Sequence, residues 1–433
     1  MPLHARILLG LLAGAVAGIT ANLVGGGSPA LESAVRLGTE PVGRLWLSGL
    51  IMVVIPLILG TLATGVADLG SLRRVGRIGA VTLACFLGLT LLSTLLGLGL
   101  TQVMRPGLGL DPVVKAQLLE TYRGQVADAM GLSQGGFGID LLANLIPRNP
   151  IKAAAAGDML AVIVVALLVG VALTVMPRDK AEPMRRFLDS LAHVCVAIIE
   201  LFMKVAPLGV FCLIFSVTAR FGLGILASLL RYVVTVLVGL LLFQVVAYPL
   251  VVWGIARRSP LEFFRRAKLV MITAFTTSSS NATLPTTLRV AKEQLGISPP
   301  VAGFVLPLGA TMNMNGTALF EGATVLFLAQ VFGVPLTLPQ QAIVVVMSVI
   351  TAIGVAGVPG GSIPLLMSVL AMVGVPAEGI AIVLGVDRLL DMCRTVLNVT
   401  GDLVTATVVQ RFEVAGPSET ALDASAAESV RSP

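Results

Sequence analysis

Hydrophobic residues run in long blocks through the first 255 positions of the chain and in shorter, interrupted blocks after that. Apolar stretches cover 6–24, 45–69, 79–104, 155–176, 192–219 and 226–253, and each approaches or exceeds the ~20 residues that cross a bilayer as a helix. They predict six membrane-spanning helices, with the more polar, Gly- and Pro-containing segments 25–44 and 105–150 as loops between them. The first stretch is too long for the apolar part of a signal peptide and lacks a small-residue cleavage site, so it is expected to be retained. Gly10, Gly14 and Gly18 recur in it every four residues, a spacing that lets another helix backbone come close.

Beyond residue 260 four polar clusters break the pattern. They are 276–285 (TTSSSNATLP), 309–317 (GATMNMNGT), 354–362 (GVAGVPGGS) and the charged stretch from Asp387 to Asp402. Non-helical backbone at membrane depth survives only when buried in protein or lining a watery cavity. The first and third clusters sit between apolar arms too short to cross twice, so 261–292 and 340–374 read as re-entrant helical hairpins. The second reads as an unwound turn in a spanning helix over 300–330, and the last helix runs over 377–411. A hairpin–helix order occurring twice suggests an inverted repeat. Discontinuous segments in matching positions point to a transporter site.

Composition strengthens the membrane reading. Only 12% of the 433 residues are charged and the mean hydropathy is +0.97, whereas soluble domains carry about 25% charged residues. The net charge of +6 comes from short basic loops. These are 73–77, the group Arg178, Lys180, Arg185 and Arg186, and the group Arg257, Arg258, Arg265, Arg266 and Lys268. With Arg6 they share one side under a six-helix count, which makes that side and both termini cytoplasmic; the charge is topological and implies no nucleic acid. Cys85, Cys195, Cys212 and Cys393 are scattered, with neither disulfide nor metal-site spacing. His4 and His193 lie far apart, and residues 413–433 read as a disordered tail.

On the last helix Asp387, Asp391, Arg394, Asn398 and Asp402 fall at about 0°, 40°, −20°, 20° and 60° around the axis, with Thr395 bordering them near 80°. Each charge at a membrane helix centre costs on the order of 2.5–3.5 kcal/mol. A purely structural network would account for one pair, whereas three acids against one arginine call for cations and a charged ligand. Arg394 offers a planar fork for a carboxylate, and Asp391, one turn away, suits an ammonium group. A nucleophile built on Ser278–Ser280, as in an intramembrane protease, lacks a partner histidine. An ion channel explains polar lining but not this carboxylate-and-amine pair.

The serine-rich tip, the segments 313–317 (NMNGT) and 357–360 (GVPG), and the run from Asp391 to Asp402 (DMCRTVLNVTGD) together resemble the glutamate transporter homologue family, the dicarboxylate/amino acid:cation symporters. The likeness extends from the first helix to about residue 411. It implies an all-α polytopic membrane protein of eight transmembrane helices and two re-entrant hairpins, working as an elevator in a homotrimer. The scaffold would be 1–76 and 105–222, and the moving transport domain 77–104 and 223–412. The implied activity is secondary symport, not enzymatic catalysis, of aspartate or glutamate with sodium, protons or both, in a bacterial-type inner membrane and with no organic cofactor. A C4-dicarboxylate symporter of the same family is the alternative. Asp391 favours the amino acids, because a solute without an amine leaves that carboxylate unpaired.

By the same resemblance, Arg394 and Thr317 would take the side-chain carboxylate, Asp391 the amine, and Asn398 with the chain around Ser278, Ser279 and Ser280 the α-carboxylate, beside Thr395. Val358, Pro359 and Gly360 would close over the solute. Asp402 with Gly309, Asn313 and Asn398 would hold one sodium, and Thr311 with Ala352, Ile353 and Val355 a second. A third cation site, around Phe86, Thr90, Asn313 and Asn315, departs from the family pattern. Asn315 stands where sodium-coupled members have aspartate, and Phe86 and Leu89 stand where they have tyrosine and threonine. Fewer than three sodium ions, or protons instead, are therefore expected. An arginine that the family places at the position of Ser278 or of Met392 is also missing. Arg388 would replace it or pair with Asp387, and Cys393 fills a place often held by glycine.

Overall fold

The computed structural model describes residues 3–26, 28–72, 77–108, 146–155, 159–355 and 362–414, and every regular element among them is helical. In chain order these are α1 (Leu3–Gly25), α2 (Pro29–Ala34), α3 (Glu40–Ile51), α4 (Val54–Leu72), α5 (Arg77–Met104), α6 (Pro150–Ala155), α7 (Met159–Val175), α8 (Arg178–Lys204) and α9 (Ala206–Leu242). There follow α10 (Tyr248–Gly254), α11 (Pro260–Thr277), α12 (Ser280–Glu293), α13 (Pro299–Met312), α14 (Asn315–Phe332), α15 (Leu338–Gly354), α16 (Ile363–Met372) and α17 (Ala381–Val414).

Four of the described stretches are long and apolar enough to cross a membrane: Ala5–Gly25, Pro29–Ala67, Ile78–Met104 and Ile225–Gly254. Two expected spans have a different form. The stretch 155–176 is a shorter apolar helix over Ala161–Val175, and 192–219 belongs to a pair, Arg178–Lys204 and Ala206–Arg220, bent by 64°. Gly222 breaks α9 with φ 62° and ψ −151°, a backbone region open essentially to glycine alone.

The expected loop over 25–44 is a correction. Ser28 caps a helix whose first residue is Pro29, accepting from the Leu31 amide, and the chain stays helical onward through a π-turn over Val35–Thr39. Pro41 cannot donate to a carbonyl four residues back, and the π-turn lies just before it. Two acids of this polar segment are paired, since Arg220 reaches Glu32 at 2.8 Å and Glu40 at 2.7 Å. At the other end α17 runs to Val414, past the expected helix end at 411–412. Residues 73–76, most of the expected loop 105–150 and the tail from 415 lie outside the described residues.

The glycine spacing of α1 serves packing. A Cβ on Gly14 would meet the Phe211 carbonyl oxygen at 2.6 Å, and Gly10 and Gly18 press equally on α9. On the other side of the core α14 is buried almost along its whole length, between α5 and α17. A Gly14→Val substitution is expected to destabilise the protein by about 1–3 kcal/mol through overpacking. The same change at Gly88, where nothing lies within 4 Å, should leave the thermal unfolding midpoint in detergent unmoved.

Candidate functional site

The site is built around a break in a helix. Between α13 and α14 Asn313 (φ −112°, ψ 68°) and Met314 (φ −98°, ψ 56°) leave the helical region, as the NMNG segment led one to expect. The first amides of a helix lack internal partners, and here α17 supplies one. Asn398 Oδ1 accepts from the Gly316 amide at 2.7 Å and the Thr317 amide at 3.4 Å, while its Nδ2 donates to Thr317 Oγ1 at 3.3 Å. Gly316 is required for this approach, because a Cβ there would run into the Arg394 carbonyl oxygen.

Arg394 is 1% exposed and is held from three directions. NH1 donates to Asp387 Oδ1 at 2.8 Å, Nε donates to Asp391 Oδ1 at 2.9 Å, and the guanidinium lies 4.3 Å from the centre of the Phe320 ring. The alternative pairing of Arg388 with Asp387 is not what the structure contains. Adjacent helix positions diverge by about 100°, and Arg388 lies beside Asp391, with NH1 3.5 Å from Oδ2.

Ser278, Ser280, Thr317, Asp391, Arg394, Thr395 and Asn398 converge on one small cavity. They are joined by Met314, Val355 and Ser362, which the sequence had not singled out as solute contacts. The cavity volume of about 10 Å³ is roughly that of a single water probe. Ser278 ends α11 in the left-handed region (φ 51°, ψ 33°), unusual for a residue with a side chain, and its hydroxyl has no hydrogen-bond partner. Ser279 instead caps α12, accepting from the Ala282 amide at 3.2 Å. Val358, Pro359 and Gly360 lie outside the described residues.

The expected cation ligands separate into three groups. Asp402 is 2% exposed and accepts from Asn313 Nδ2 at 2.9 Å, whereas Asn313 Oδ1 has no partner. Gly309 lets this carboxylate come close to the backbone of α13, since a Cβ there would fall on Asp402 Oδ1. A buried carboxylate and an orphaned amide oxygen beside a helix break fit a hard monovalent cation. Thr311, Ile353 and Val355 come together on a second cavity of about 890 Å³, between α12, α13 and α15 on one side and α4 and α8 on the other; Ala352 is buried beside them.

At the third location the polar groups satisfy one another. Thr90 donates to Asn315 Oδ1 at 2.9 Å, Asn315 Nδ2 donates to Tyr248 Oη at 3.0 Å, and Tyr248 donates to the Leu397 carbonyl at 2.8 Å. Phe86 is buried there without a polar group to offer.

Tyr248 escaped the sequence reading, and so did one buried acid. Glu321, in α14, is fully buried; Oε2 accepts from Thr351 Oγ1 at 2.7 Å, and Oε1 has no hydrogen-bond partner. A lone acid inside an otherwise apolar helix was the available signal. Asp387 and Asp391 are thus matched by Arg388 and Arg394, whereas Asp402 and Glu321 have no cationic group within 4 Å among the described residues.

Such a constellation, with broken helices, a buried charged cavity and uncompensated acids, defines a membrane carrier of a small charged solute. The profile of the Sodium:dicarboxylate symporter family matches residues 3–412, and the chain belongs to that family. It is 34% identical to the proton/sodium-glutamate symport protein of Bacillus subtilis (strain 168), over 95% of this chain and 92% of that protein. It is 34% identical to the proton/glutamate-aspartate symporter of Escherichia coli (strain K12), over 86% of this chain and 85% of the other. A C4-dicarboxylate transport protein of Anaeromyxobacter sp. (strain K) is 33% identical over 95% of this chain and 90% of its own length.

Asn398→Ala removes the clamp on the broken helix. Hydrogen exchange of the amides over 313–318 is expected to speed up about tenfold, the equivalent of one lost buried hydrogen bond of about 1.4 kcal/mol, with exchange in α5 unchanged.

Proposed function

We propose that the chain is a secondary symporter that takes up an acidic amino acid, aspartate or glutamate, together with sodium and protons. The observation that carries this reading is the charge balance. One guanidinium stands in a small buried cavity beside a carboxylate, and two other buried acids have no cationic group within 4 Å among the described residues. Arg394 takes a solute carboxylate through its fork, and Asp391 takes the amine. Thr317, Thr395 and Asn398 supply neutral hydrogen bonds, and the N-terminal end of α12 at Ser280 adds a positive dipole end. The names of the relatives that span nearly the whole chain support a solute of this class and both coupling ions.

Asp402, Asn313, Gly309 and Asn398 hold one sodium on this reading, and Thr311 with Ala352, Ile353 and Val355 a second. Neutralising the carboxylate adds to the attraction between the broken helix and α17. Glu321 carries the proton: a carboxylate with a single hydroxyl donor is costly to bury, and a proton removes that cost without needing a coordination shell. The closed hydrogen-bond chain through Asn315 argues against a third sodium there.

The same reading gives eight transmembrane helices with two re-entrant hairpins, α11–α12 and α15–α16, and both termini in the cytoplasm. The transport domain, 77–104 and 223–412, moves as an elevator against the scaffold, 1–76 and 105–222, in a homotrimer. The larger cavity supports this division, because it separates hairpin arms from α4 and α8 and carries Arg185 and Arg186 on its rim, on the side that the positive-inside rule makes cytoplasmic.

Liposome uptake with sodium and proton gradients imposed separately tests the proposal. Aspartate should accumulate under either gradient and fastest under both; accumulation under neither would refute symport. Asp402→Asn is expected to abolish the response to sodium. Glu321→Gln should abolish acceleration by an acidic exterior and spare the sodium response. Asn315→Asp reintroduces a carboxylate and should steepen the dependence of uptake on sodium concentration.

A further inference from the structure

Arg388 is 7% exposed, and neither solute nor ion binding as proposed gives it a role. Its Nε and NH1 make no hydrogen bond, although a buried guanidinium ordinarily satisfies its donors. The closest charge to it is Asp391 Oδ2, 3.5 Å from NH1, within ion-pair distance but without hydrogen-bond geometry. Oδ1 of the same carboxylate is engaged by Arg394. Asp391 therefore stands between two guanidinium groups, of which one belongs to the solute cavity and the other lies outside its lining.

We propose that Arg388 is a specificity-determining positioning residue that supplies Asp391 with a built-in countercharge, so that the site accepts dicarboxylates with or without an amine. The inference rests on the proposal that Asp391 faces the solute's amine. An ammonium group arriving at Asp391 competes with a contact that has no hydrogen bond to lose. A solute lacking the ammonium leaves Arg388 in place, and Asp391 is not stranded as an unpaired buried charge. The expectation that Asp391 by itself selects amino acids is thereby relaxed. Likeness to both a glutamate symporter and a C4-dicarboxylate transport protein agrees with a site that is not closed to either solute.

The test is competition of unlabelled succinate and aspartate against labelled aspartate on purified, monodisperse protein in sodium, read as the ratio of the two inhibition constants. Removing the countercharge in Arg388→Met should raise the succinate-to-aspartate ratio about tenfold or more, the equivalent of at least about 1.4 kcal/mol. Arg388→Lys keeps the charge and should hold the ratio within about threefold of the parent, and Asp391→Asn, which leaves Arg388 in excess, should lower it. In the double variant Arg388→Met/Asp391→Asn the ratio should be no higher than in the parent, since no carboxylate remains to be left unpaired. A ratio unchanged in Arg388→Met, or raised equally with and without Asp391, overturns the proposal. If Arg388→Met does not fold, an unchanged ratio in Asp391→Asn overturns it instead. Failure of the parent protein to bind aspartate at all would instead refute the proposed function.

Discussion

Charge compensation inside a water-poor interior is the constraint on which the rest of this structure depends. An unpaired charge there costs several kcal/mol, so each buried ionic group must have a partner in the protein or take one from outside. Arg394 and Arg388 give Asp387 and Asp391 their partners on a single helix face. Asp402 and Glu321 are given only neutral ones, an amide and a hydroxyl. On the proposed reading, the first set holds the solute site in shape and the second makes cation uptake favourable. Both follow from where six side chains stand on α14 and α17.

Backbone geometry brings the two sets together. The break at Asn313–Met314 moves Asn313 toward Asp402 and sets Gly316 against α17 at Arg394. Asn398 lines the solute cavity and clamps the start of α14. On the proposed reading, a cation drawn to Asp402 acts on the segment that positions Thr317, and a solute on Asn398 pulls on the same clamp. Coupling of ion and solute needs no longer path than one turn of helix.

Much of this was legible in the sequence because one periodicity and one motif are hard to mistake. Acids and an arginine at spacings of three and four define one face of α17, and NMNG inside an apolar helix announces a break. The serine run correctly marked a tip but not its division of labour, since only the φ of 51° at Ser278 separates the cavity-lining serines from the capping Ser279. Three features stayed hidden for physical reasons. Glu321 belongs to no cluster, so a search for stripes passes over it. Arg388 sits about 100° from Asp387 on the wheel, and its long stem brings its charge to Asp391 instead. Segment 25–44 looked like a loop because it is more polar and contains Gly and Pro, yet two of its acids, Glu32 and Glu40, are both paired by Arg220, some 180 residues away.

Asn315 joins four helices through neutral hydrogen bonds. An ion at that location would tie α5, α14 and α17 together through shared oxygen ligands. The amide does this with directional bonds, from Thr90 on α5 through Asn315 on α14 and Tyr248 on α10 to the Leu397 carbonyl on α17. An amide can donate and accept at once, which a carboxylate cannot; the Tyr248 hydroxyl, committed to Leu397, is therefore free to accept from Asn315 rather than donate to it. The exchange also changes the number of cations the site calls for. With aspartate at 315 the buried acids without a cationic neighbour among the described residues would be three; with asparagine they are two, and a monoanionic solute adds one more. On the proposed reading, full neutrality then needs three monovalent cations in place of four, the number supplied by two sodium ions and a proton on Glu321.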